Sequence, residues 1–244
     1  MVKEFENKNY WALILGGSAG LGLAAAKKLA AHGCNIIIVH RNSKADAAMI
    51  EKEFEAIKAT GAEMIAFNKD AMSVEKRETI IQDIQEKLGE KGKIRVLLHS
   101  IAKGNLKPMI ADERPALQND DLHLTLENMA ISLYDWTKLI FENKLFTADA
   151  RIISFTSQGN TKAWKGYAAV SAAKAALEAI TRNIALEFAP HGIRANCIQA
   201  GLTDTFSFRM IPGHEELKER SLNQNPFKKL TTAQDVANVA YLLC

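Results

Sequence analysis

The sequence predicts a single α/β domain in which a doubly wound parallel sheet carries helices on both faces. Short apolar runs alternate with longer amphipathic stretches along all 244 residues. A glycine-rich turn separates the first run from the first amphipathic stretch, and no Pro-rich or Ser-rich linker interrupts the order. The 48% hydrophobic content is that of an ordinary globular domain with a sizeable core.

The predicted elements follow one another in strand and helix pairs. The pairs in chain order are WALILGG with LGLAAAKKLAAHG, NIIIVH with KADAAMIEKEFEAIKATG, EMIAFNKD with SVEKRETIIQDIQEKLG, IRVLLHS with a long helical region to about Asn143, RIISFTS with YAAVSAAKAALEAITRNIALEFAPHG, and IRANCIQAG with a polar stretch ending in AQDVANVAYLL. Alternation of this kind is typical of parallel sheets. Such sheets bind ligands beyond the carboxyl ends of their strands, so the residues after each strand are the candidates for function.

Charge and cysteine content narrow the class of protein. The 31 basic and 28 acidic residues give a net charge of +3 without a basic block, which argues against a nucleic-acid partner. Three cysteines, Cys34, Cys197 and Cys244, are too far apart for a metal clip, and their odd number argues against a disulfide framework. We therefore expect no metal and a cytoplasmic location. Glycines interrupt the uncharged residues 9–26, so we expect no membrane span or leader there.

The first turn has the features of a dinucleotide-binding site. LILGGSAGLGLAAAKKLA places glycines between a strand and its helix, where they permit a tight turn and let the backbone approach a pyrophosphate. Free amide groups at the helix start stabilise that negative charge. The predicted cofactor residues here are Gly16, Ser18, Gly20, Leu21 and Gly22.

The end of the second strand favours NADPH over NADH. An NAD-specific site usually has a carboxylate about 20 residues beyond the glycines, but this sequence reads IIIVHRNSK there. Arg41 offers a planar fork suited to a 2'-phosphate, and Asn42 and Ser43 follow it.

With these motifs the chain resembles the short-chain dehydrogenases/reductases, a family with a Rossmann-type fold, over essentially its whole length. The resemblance implies that Asp70 and Ala71 lie near the adenine and that Ser100, Ile101 and Ala102 lie beside the cofactor. The sequence LLHSIAKG in the latter segment is similar to that of the enoyl-acyl-carrier-protein reductases, a branch of this family. We expect His99 to be a packed residue at the end of a strand.

Tyr167 and Lys174 are the candidate catalytic pair, and their spacing is unusual. Residues seven apart on a helix still share a face, but their axial separation is about 10.5 Å, against about 6 Å for residues four apart. In an enoyl thioester the hydride goes to C3 while charge develops on the thioester oxygen, so the donor must reach farther than in a ketone. Tyr-x6-Lys is the arrangement of the enoyl-acyl-carrier-protein reductases, which the two residues match.

The roles implied for these residues follow from charge. Tyr167 would stabilise the enolate oxygen and could protonate it, while Lys174 would hold the nicotinamide ribose and favour ionisation of the phenol. Taken alone, the two residues are better interpreted as a half-buried aromatic at a helix start and a solvated lysine; the glycine turn and the family order favour the catalytic interpretation. Ser157 stands where the broad family keeps a catalytic serine; it could bond the substrate carbonyl or only satisfy a turn. Asn128 in LENMAIS is not assigned, because its register is uncertain.

Beyond the last predicted strand, NCIQAGLTDT resembles the segment that covers the nicotinamide, which makes Gly201, Thr203 and Thr205 cofactor candidates. Residues 206–230 are expected to cover the substrate. Apolar residues there could line an acyl channel or simply pack: Phe206, Phe208, Met210, Ile211 and Phe227. Basic residues there could meet an acidic carrier protein or only form a solvated face: Arg209, Lys218, Arg220, Lys228 and Lys229.

The first hypothesis is therefore NADPH-dependent reduction of trans-2-enoyl thioesters in fatty-acid elongation, on acyl carrier protein or CoA, most similar to the type III enoyl-acyl-carrier-protein reductases. The second is a carbonyl reductase acting on 3-oxoacyl thioesters. The third is an NADP-binding sensor without catalysis. The resemblance also implies a homo-oligomer, a tetramer or dimer, although the family's last strand, with its Gly-Gln and Asp-Gly-Gly, is absent from the sequence.

Overall fold

The computed structural model describes residues 2–244, and its centre is one six-stranded parallel sheet in the order β3-β2-β1-β4-β5-β6. The strand order reverses between β1 and β4, which is where sheets of this kind open a crevice at their carboxyl edge. The strands are β1 (Tyr10–Leu15), β2 (Asn35–His40), β3 (Met64–Asn68), β4 (Lys93–His99), β5 (Phe146–Thr156) and β6 (Arg194–Gln199).

Helices connect the strands and cover both faces of the sheet. They are α1 (Gly20–Ala31), α2 (Ala47–Lys58), α3 (Val74–Leu88), α4 (Asn119–Leu126), α5 (Ser132–Glu142), α6 (Ala168–Glu187), α7 (Phe206–Arg209), α8 (His214–Gln224) and α9 (Ala233–Leu242). Short 3-10 turns cover Lys44–Asp46, Gln158–Asn160 and Ala189–His191. Among residues 2–244, no helix combines the length and apolar character needed to cross a bilayer.

The core forms two layers because successive residues of a buried strand point to opposite faces of the sheet. In β1, Leu13 and Leu15 pack on the side of α3 and α5, whereas Ala12 and Ile14 pack on the side of α1 and α9. Both layers consist mainly of buried aliphatic residues, and Trp136 is the largest of the fully buried side chains. This arrangement confirms the predicted α/β fold with a doubly wound parallel sheet.

The region between β4 and β5 differs from the single long helix that the sequence predicts. Residues 100–118 form neither helix nor strand, and a five-residue π-helix, Glu127–Ile131, separates α4 from α5. Two side chains bond the backbone at this point: the Asn128 amide donates to the Leu124 carbonyl at 2.7 Å, and the Ser132 hydroxyl donates to the Asn128 carbonyl at 2.9 Å. Bonds from such side chains to a carbonyl one turn back loosen the regular helical ladder.

Candidate active site

The glycine turn after β1 is held against the end of β4. The Gly16 amide donates to the Val39 carbonyl and the Ser100 amide donates to the Leu15 carbonyl, both at 2.8 Å. Gly16 has a φ of +80°, and a Cβ on it would lie 2.6 Å from the Ser100 carbonyl oxygen. A side chain is therefore excluded at Gly16, both by its backbone conformation and by the close approach of the two strand ends.

The start of α1 fits an anionic group. Its N-cap residue is Ala19, which has no polar side chain for capping, and the first turn carries no acidic residue. Gly20 has a φ of +57°, and a Cβ on it would meet nothing nearer than the Thr205 methyl group at 3.7 Å. Uncapped amides at the start of a helix are the groups that bind a pyrophosphate. The Ser18 hydroxyl donates to Asn42 at 2.8 Å and so links this turn to the end of β2.

Two predicted cofactor residues are paired with each other beyond β2 and β3. The Arg41 guanidinium donates to the Asp70 carboxylate at 2.7 Å, and the Arg41 side chain is 57% exposed. Partial burial favours the protonated form of Asp70, but the Met72 amide and Arg41 hold the pKa of this carboxyl below its usual value. Arg41 therefore already has an anionic partner in Asp70. A 2'-phosphate would either bind Arg41 together with Asp70 or displace Asp70 from it.

The residues beside Arg41 are also engaged in the protein. Asn42 exchanges hydrogen bonds with Asn68, its amide donating at 3.1 Å and its carbonyl accepting at 3.2 Å. The Ser43 hydroxyl donates to Asp46 at 2.9 Å in a capping box. Sequence reasoning missed Asn68, although its place at the end of β3, adjacent to the end of β2, is the signal that could have identified it.

Tyr167 is the N-cap residue of α6 rather than a residue within the helix. Its ring is 8% exposed and meets Trp164 edge to face, with the ring centroids 5.0 Å apart. Burial raises the pKa of the phenol, and the nearby Ser157 hydroxyl opposes this shift. Tyr167 is therefore a neutral donor at neutral pH.

Lys174 lies on the same face of α6, two turns farther along. Its ammonium is buried and donates to the Phe155 carbonyl at 2.7 Å. Desolvation lowers the pKa of Lys174 to about 8, while the charges of Cys197 and Glu178 act in the opposite direction. The structure thus brings together Ser157, Tyr167 and Lys174, the three residues predicted to be catalytic, around the end of β5.

Comparisons with known proteins identify the family of this chain. The family model described as "Enoyl-(Acyl carrier protein) reductase" matches residues 16–244. The chain is a member of the short-chain dehydrogenase/reductase family. A 3-oxoacyl-[acyl-carrier-protein] reductase of Pseudomonas aeruginosa is 30% identical over 232 residues, 95% of this chain and 88% of that protein. A peroxisomal 2,4-dienoyl-CoA reductase of Danio rerio is 25% identical over 240 residues, 95% of this chain and 74% of that protein.

A solved structure supports the same assignment. The short chain dehydrogenase of Burkholderia cenocepacia in complex with NADP is 25% identical, with a TM-score of 0.79 over 96% of this chain and 90% of that one. The short-chain dehydrogenase/reductase described here is therefore an oxidoreductase, and a nicotinamide cofactor fits its glycine turn.

The reductase has a cavity of about 400 Å³ against Ser157 and Tyr167. Apolar side chains from the covering segment line it, among them Phe208, Ile211 and Leu217. Its cationic lining residues are Lys162, Arg220 and Lys229. Of the lining residues in the described range 2–244, none is acidic. The cavity therefore suits a ligand that is apolar in one part and anionic in another.

Other candidates in the covering segment lie away from this cavity. Phe206, Met210 and Phe227 are 77%, 58% and 82% exposed, so they are not part of its lining. Arg209 and Lys218 both bind Asp204, at 2.7 and 3.1 Å. Of the predicted apolar and basic residues, the cavity wall therefore contains only some: Phe208, Ile211, Arg220 and Lys229.

Among the cofactor candidates of the last loop, Thr205 lies beside the glycine turn of the reductase, since its methyl group is 3.7 Å from a Cβ placed on Gly20. The Thr203 hydroxyl donates to the Gly201 carbonyl at 3.1 Å, and the Thr205 hydroxyl accepts from the Phe208 amide at 3.2 Å as the N-cap of α7. Ala71 and Ile101 are partly or fully buried beside the strand ends, Leu21 is half-buried, and Ala102 is exposed. Their contact with a cofactor remains a prediction.

His99 is the packed strand-end residue that the sequence predicts. It is 1% exposed, and its Nε2 lies 2.7 Å from the Ser132 hydroxyl. Burial, together with the charge of Lys174, lowers the pKa of His99 to about 3, so the imidazole is neutral. The neighbouring Asn128, left unassigned from the sequence, is buried in the π-helix. Its side-chain amide donates to the Leu124 carbonyl at 2.7 Å.

Proposed function

We propose that this reductase transfers hydride from NADPH to the C=C bond of trans-2-enoyl thioesters. The observation that carries the proposal is the position of the tyrosine. The residue four before Lys174 is Val170, which is 6% exposed and packs in an apolar cluster with Met129. The phenol is seven before it, at the start of α6, and lines the cavity with Ser157.

The roles of the catalytic residues follow from where negative charge develops during conjugate reduction. NADPH, when bound, supplies the hydride that C3 of the substrate accepts. Tyr167 donates a hydrogen bond to the thioester oxygen, where negative charge accumulates as the enolate forms. The Tyr167 proton then passes to the enolate, and the Lys174 ammonium lowers the free energy of the phenolate left behind. Ser157, which lines the same cavity as the phenol, orients it toward the substrate.

The choice of NADPH rests on Arg41. This guanidinium stands beyond β2, is more than half exposed and can keep one edge for Asp70 while the other binds a 2'-phosphate. The cofactor-binding residues proposed are those of the glycine turn, the residues after β2, β3 and β4, Lys174 and the loop from Gly201 to Thr205.

The carrier proposed for the acyl group is CoA or acyl carrier protein, with fatty-acid elongation as the setting. The apolar wall of the cavity suits an acyl chain, and its three cations suit the phosphate of a pantetheine carrier. A cytoplasmic homo-oligomer, a dimer or tetramer, completes the proposal. The exposed Leu124, Ile131 and Tyr134 on α4, the π-helix and α5 would favour such association.

One assay tests the reaction. NADPH oxidation is followed with crotonyl-CoA and with acetoacetyl-CoA under the same conditions, and we expect the higher kcat/KM with crotonyl-CoA. Tyr167→Phe should lower kcat by about 10²-fold or more with the dissociation constant of NADPH nearly unchanged, because the lost donor acts on the developing charge. Lys174→Ala should lower kcat and also weaken the binding of NADPH. Full turnover by Tyr167→Phe would contradict the mechanism.

Reduction of 3-oxoacyl thioesters is the second candidate. The 30% identity to the 3-oxoacyl-[acyl-carrier-protein] reductase of Pseudomonas aeruginosa favours it, as does the presence of Ser157 beside the phenol in the cavity wall. A preference for acetoacetyl-CoA in the same assay would support this reaction. Tight NADPH binding without turnover of either thioester would instead indicate a sensor.

A further inference from the structure

The inner face of α6 bears a row of polar groups that contact the end of β5 or the turn after it. Their spacings of four, three and four residues keep them within about 60° of one another around the helix. The members are Tyr167, Ser171, Lys174 and Glu178. Ser171 donates to the Gly159 carbonyl, and Lys174 donates to the Phe155 carbonyl. The proposed reaction gives no part to Ser171 or to Glu178, and Glu178 is the acidic residue of the two.

The Glu178 carboxylate joins the two ends of one short turn. Its Oε1 accepts from the Thr156 hydroxyl at 2.6 Å and from the Asn160 side-chain amide. Thr156 is the last residue of β5, and Asn160 ends the 3-10 turn that follows. Between them lie Ser157 and Gly159, so a single carboxylate holds both sides of the residues that face the phenol.

The turn has little freedom to move without displacing Tyr167. A Cβ on Gly159 would lie 2.4 Å from Cε1 of the Tyr167 ring, which shows how closely backbone and ring approach. The Ser157 hydroxyl also accepts from the Gly159 amide at 3.3 Å, and Ser157 lines the same cavity as Tyr167. A shift of the turn is therefore transmitted to both the ring and the hydroxyl of Tyr167.

We infer that Glu178 is a positioning residue of this active site: it fixes the turn that orients Ser157 and Tyr167. The inference rests on the proposed function for its effect on turnover. Glu178 lies one helical turn beyond Lys174 and contacts neither the cavity nor the candidate cofactor residues directly.

The charge of Glu178 also acts on Lys174, as do the other titratable groups around that lysine. Cys197 of β6 and Glu178 of α6 favour the charged lysine, whereas burial opposes it, and His99 of β4 is neutral beside it. Glu178 also borders a groove with Arg182 and Cys197, and its charge contributes to the raised pKa of the Cys197 thiol. Because the thiol is protonated at neutral pH, Glu178 is the main anion available to Lys174. Removing its charge should lower the pKa of Lys174 further from about 8.

The test compares Glu178→Gln and Glu178→Ala with Glu187→Gln, a matched control at the exposed end of the same helix. Turnover of crotonyl-CoA is measured across the range from about pH 6 to about pH 9, so that the alkaline limb reports the ionisation of Lys174. Glu178→Ala should lower kcat by about tenfold or more while the KM for NADPH changes less than about twofold. Glu178→Gln should keep much of the rate at the acidic end and lose activity at a lower pH than the unmodified protein.

Equal rates and superimposable pH profiles for the Glu178 variants and Glu187→Gln would overturn the inference. NMR titration of 13C-labelled lysine, with Lys174 assigned by its Ala variant, gives a readout that needs no substrate. If the unmodified protein reduces neither thioester, the proposed function fails, and an unchanged Lys174 pKa in Glu178→Gln would separately overturn the role of Glu178. If circular dichroism shows that Glu178→Ala does not fold, the comparison is made between Glu178→Gln and Glu187→Gln.

Discussion

Replacing Gly159 by alanine displaces the phenol without touching any polar group of the site. The added Cβ would lie 2.4 Å from Cε1 of Tyr167 and 3.2 Å from Trp164, whereas ordinary van der Waals contact begins at 3.4 Å. The ring must therefore retreat by the difference between 3.4 and 2.4 Å, about 1 Å. A displacement of this size in a positioned catalytic group lowers the rate by about 10²-fold.

The assay is kcat for crotonyl-CoA at saturating NADPH, with the dissociation constant of NADPH measured by fluorescence. We expect Gly159→Ala to lose about 10²-fold in kcat with unchanged NADPH affinity. Gly61→Ala is the matched control, because a Cβ there meets nothing within 4 Å and its φ of +91° affects stability alone. A kcat for Gly159→Ala equal to that of Gly61→Ala would refute the placement of the Tyr167 ring in the reaction.

Two further predictions concern the cofactor and the pH dependence of stability. Arg41→Ala should raise the dissociation constant of NADPH by about tenfold and leave that of NADH nearly unchanged, as measured by fluorescence titration, because the lost hydrogen bonds go to a charged phosphate; an equal change for both would refute the role of Arg41. His99 has a pKa of about 3 in the fold and about 6.5 when unfolded, so the unfolded chain binds the proton first and stability should fall as pH falls below about 6.5. Thermal unfolding at several pH values should show a shallower loss in His99→Leu than in the unmodified protein, and parallel losses would contradict a neutral, buried His99.

The parts of the site that could be predicted from sequence are those set by local spacing. The glycine turn was found because a tight strand-to-helix connection needs glycine at fixed positions. Tyr167 and Lys174 were paired because they match the Tyr-x6-Lys spacing of the enoyl-acyl-carrier-protein reductases, and seven residues return a helix to nearly the same face, although Tyr167 proves to be the N-cap residue. Both inferences use only a few consecutive residues, for which sequence distance determines spatial distance.

The parts that could not be predicted depend on contacts between distant segments. Arg41 and Asp70 were assigned separately to a 2'-phosphate and to the adenine, yet the pairing of β2 with β3 brings them within 2.7 Å. The five-residue π-helix arises from side chains that bond carbonyls one turn back. The amphipathic pattern of the sequence does not reveal these bonds. Phe206 and Phe227 resemble channel residues in sequence, but their exposure is decided by the path of the covering segment.

The five-residue π-helix also determines which way α4 faces. Deleting one residue from Glu127–Ile131 would restore an ordinary helix and rotate all of α4 by about 100° relative to α5. Two residues of α4 now anchor the loop: Asp121 accepts a hydrogen bond from the Lys107 ammonium at 2.8 Å, and Thr125 accepts from the Asn105 amide at 3.1 Å. Both would turn away from that loop. The loop and α4 would lose these contacts, so residues 127–131 should tolerate substitutions far more readily than an insertion or a deletion.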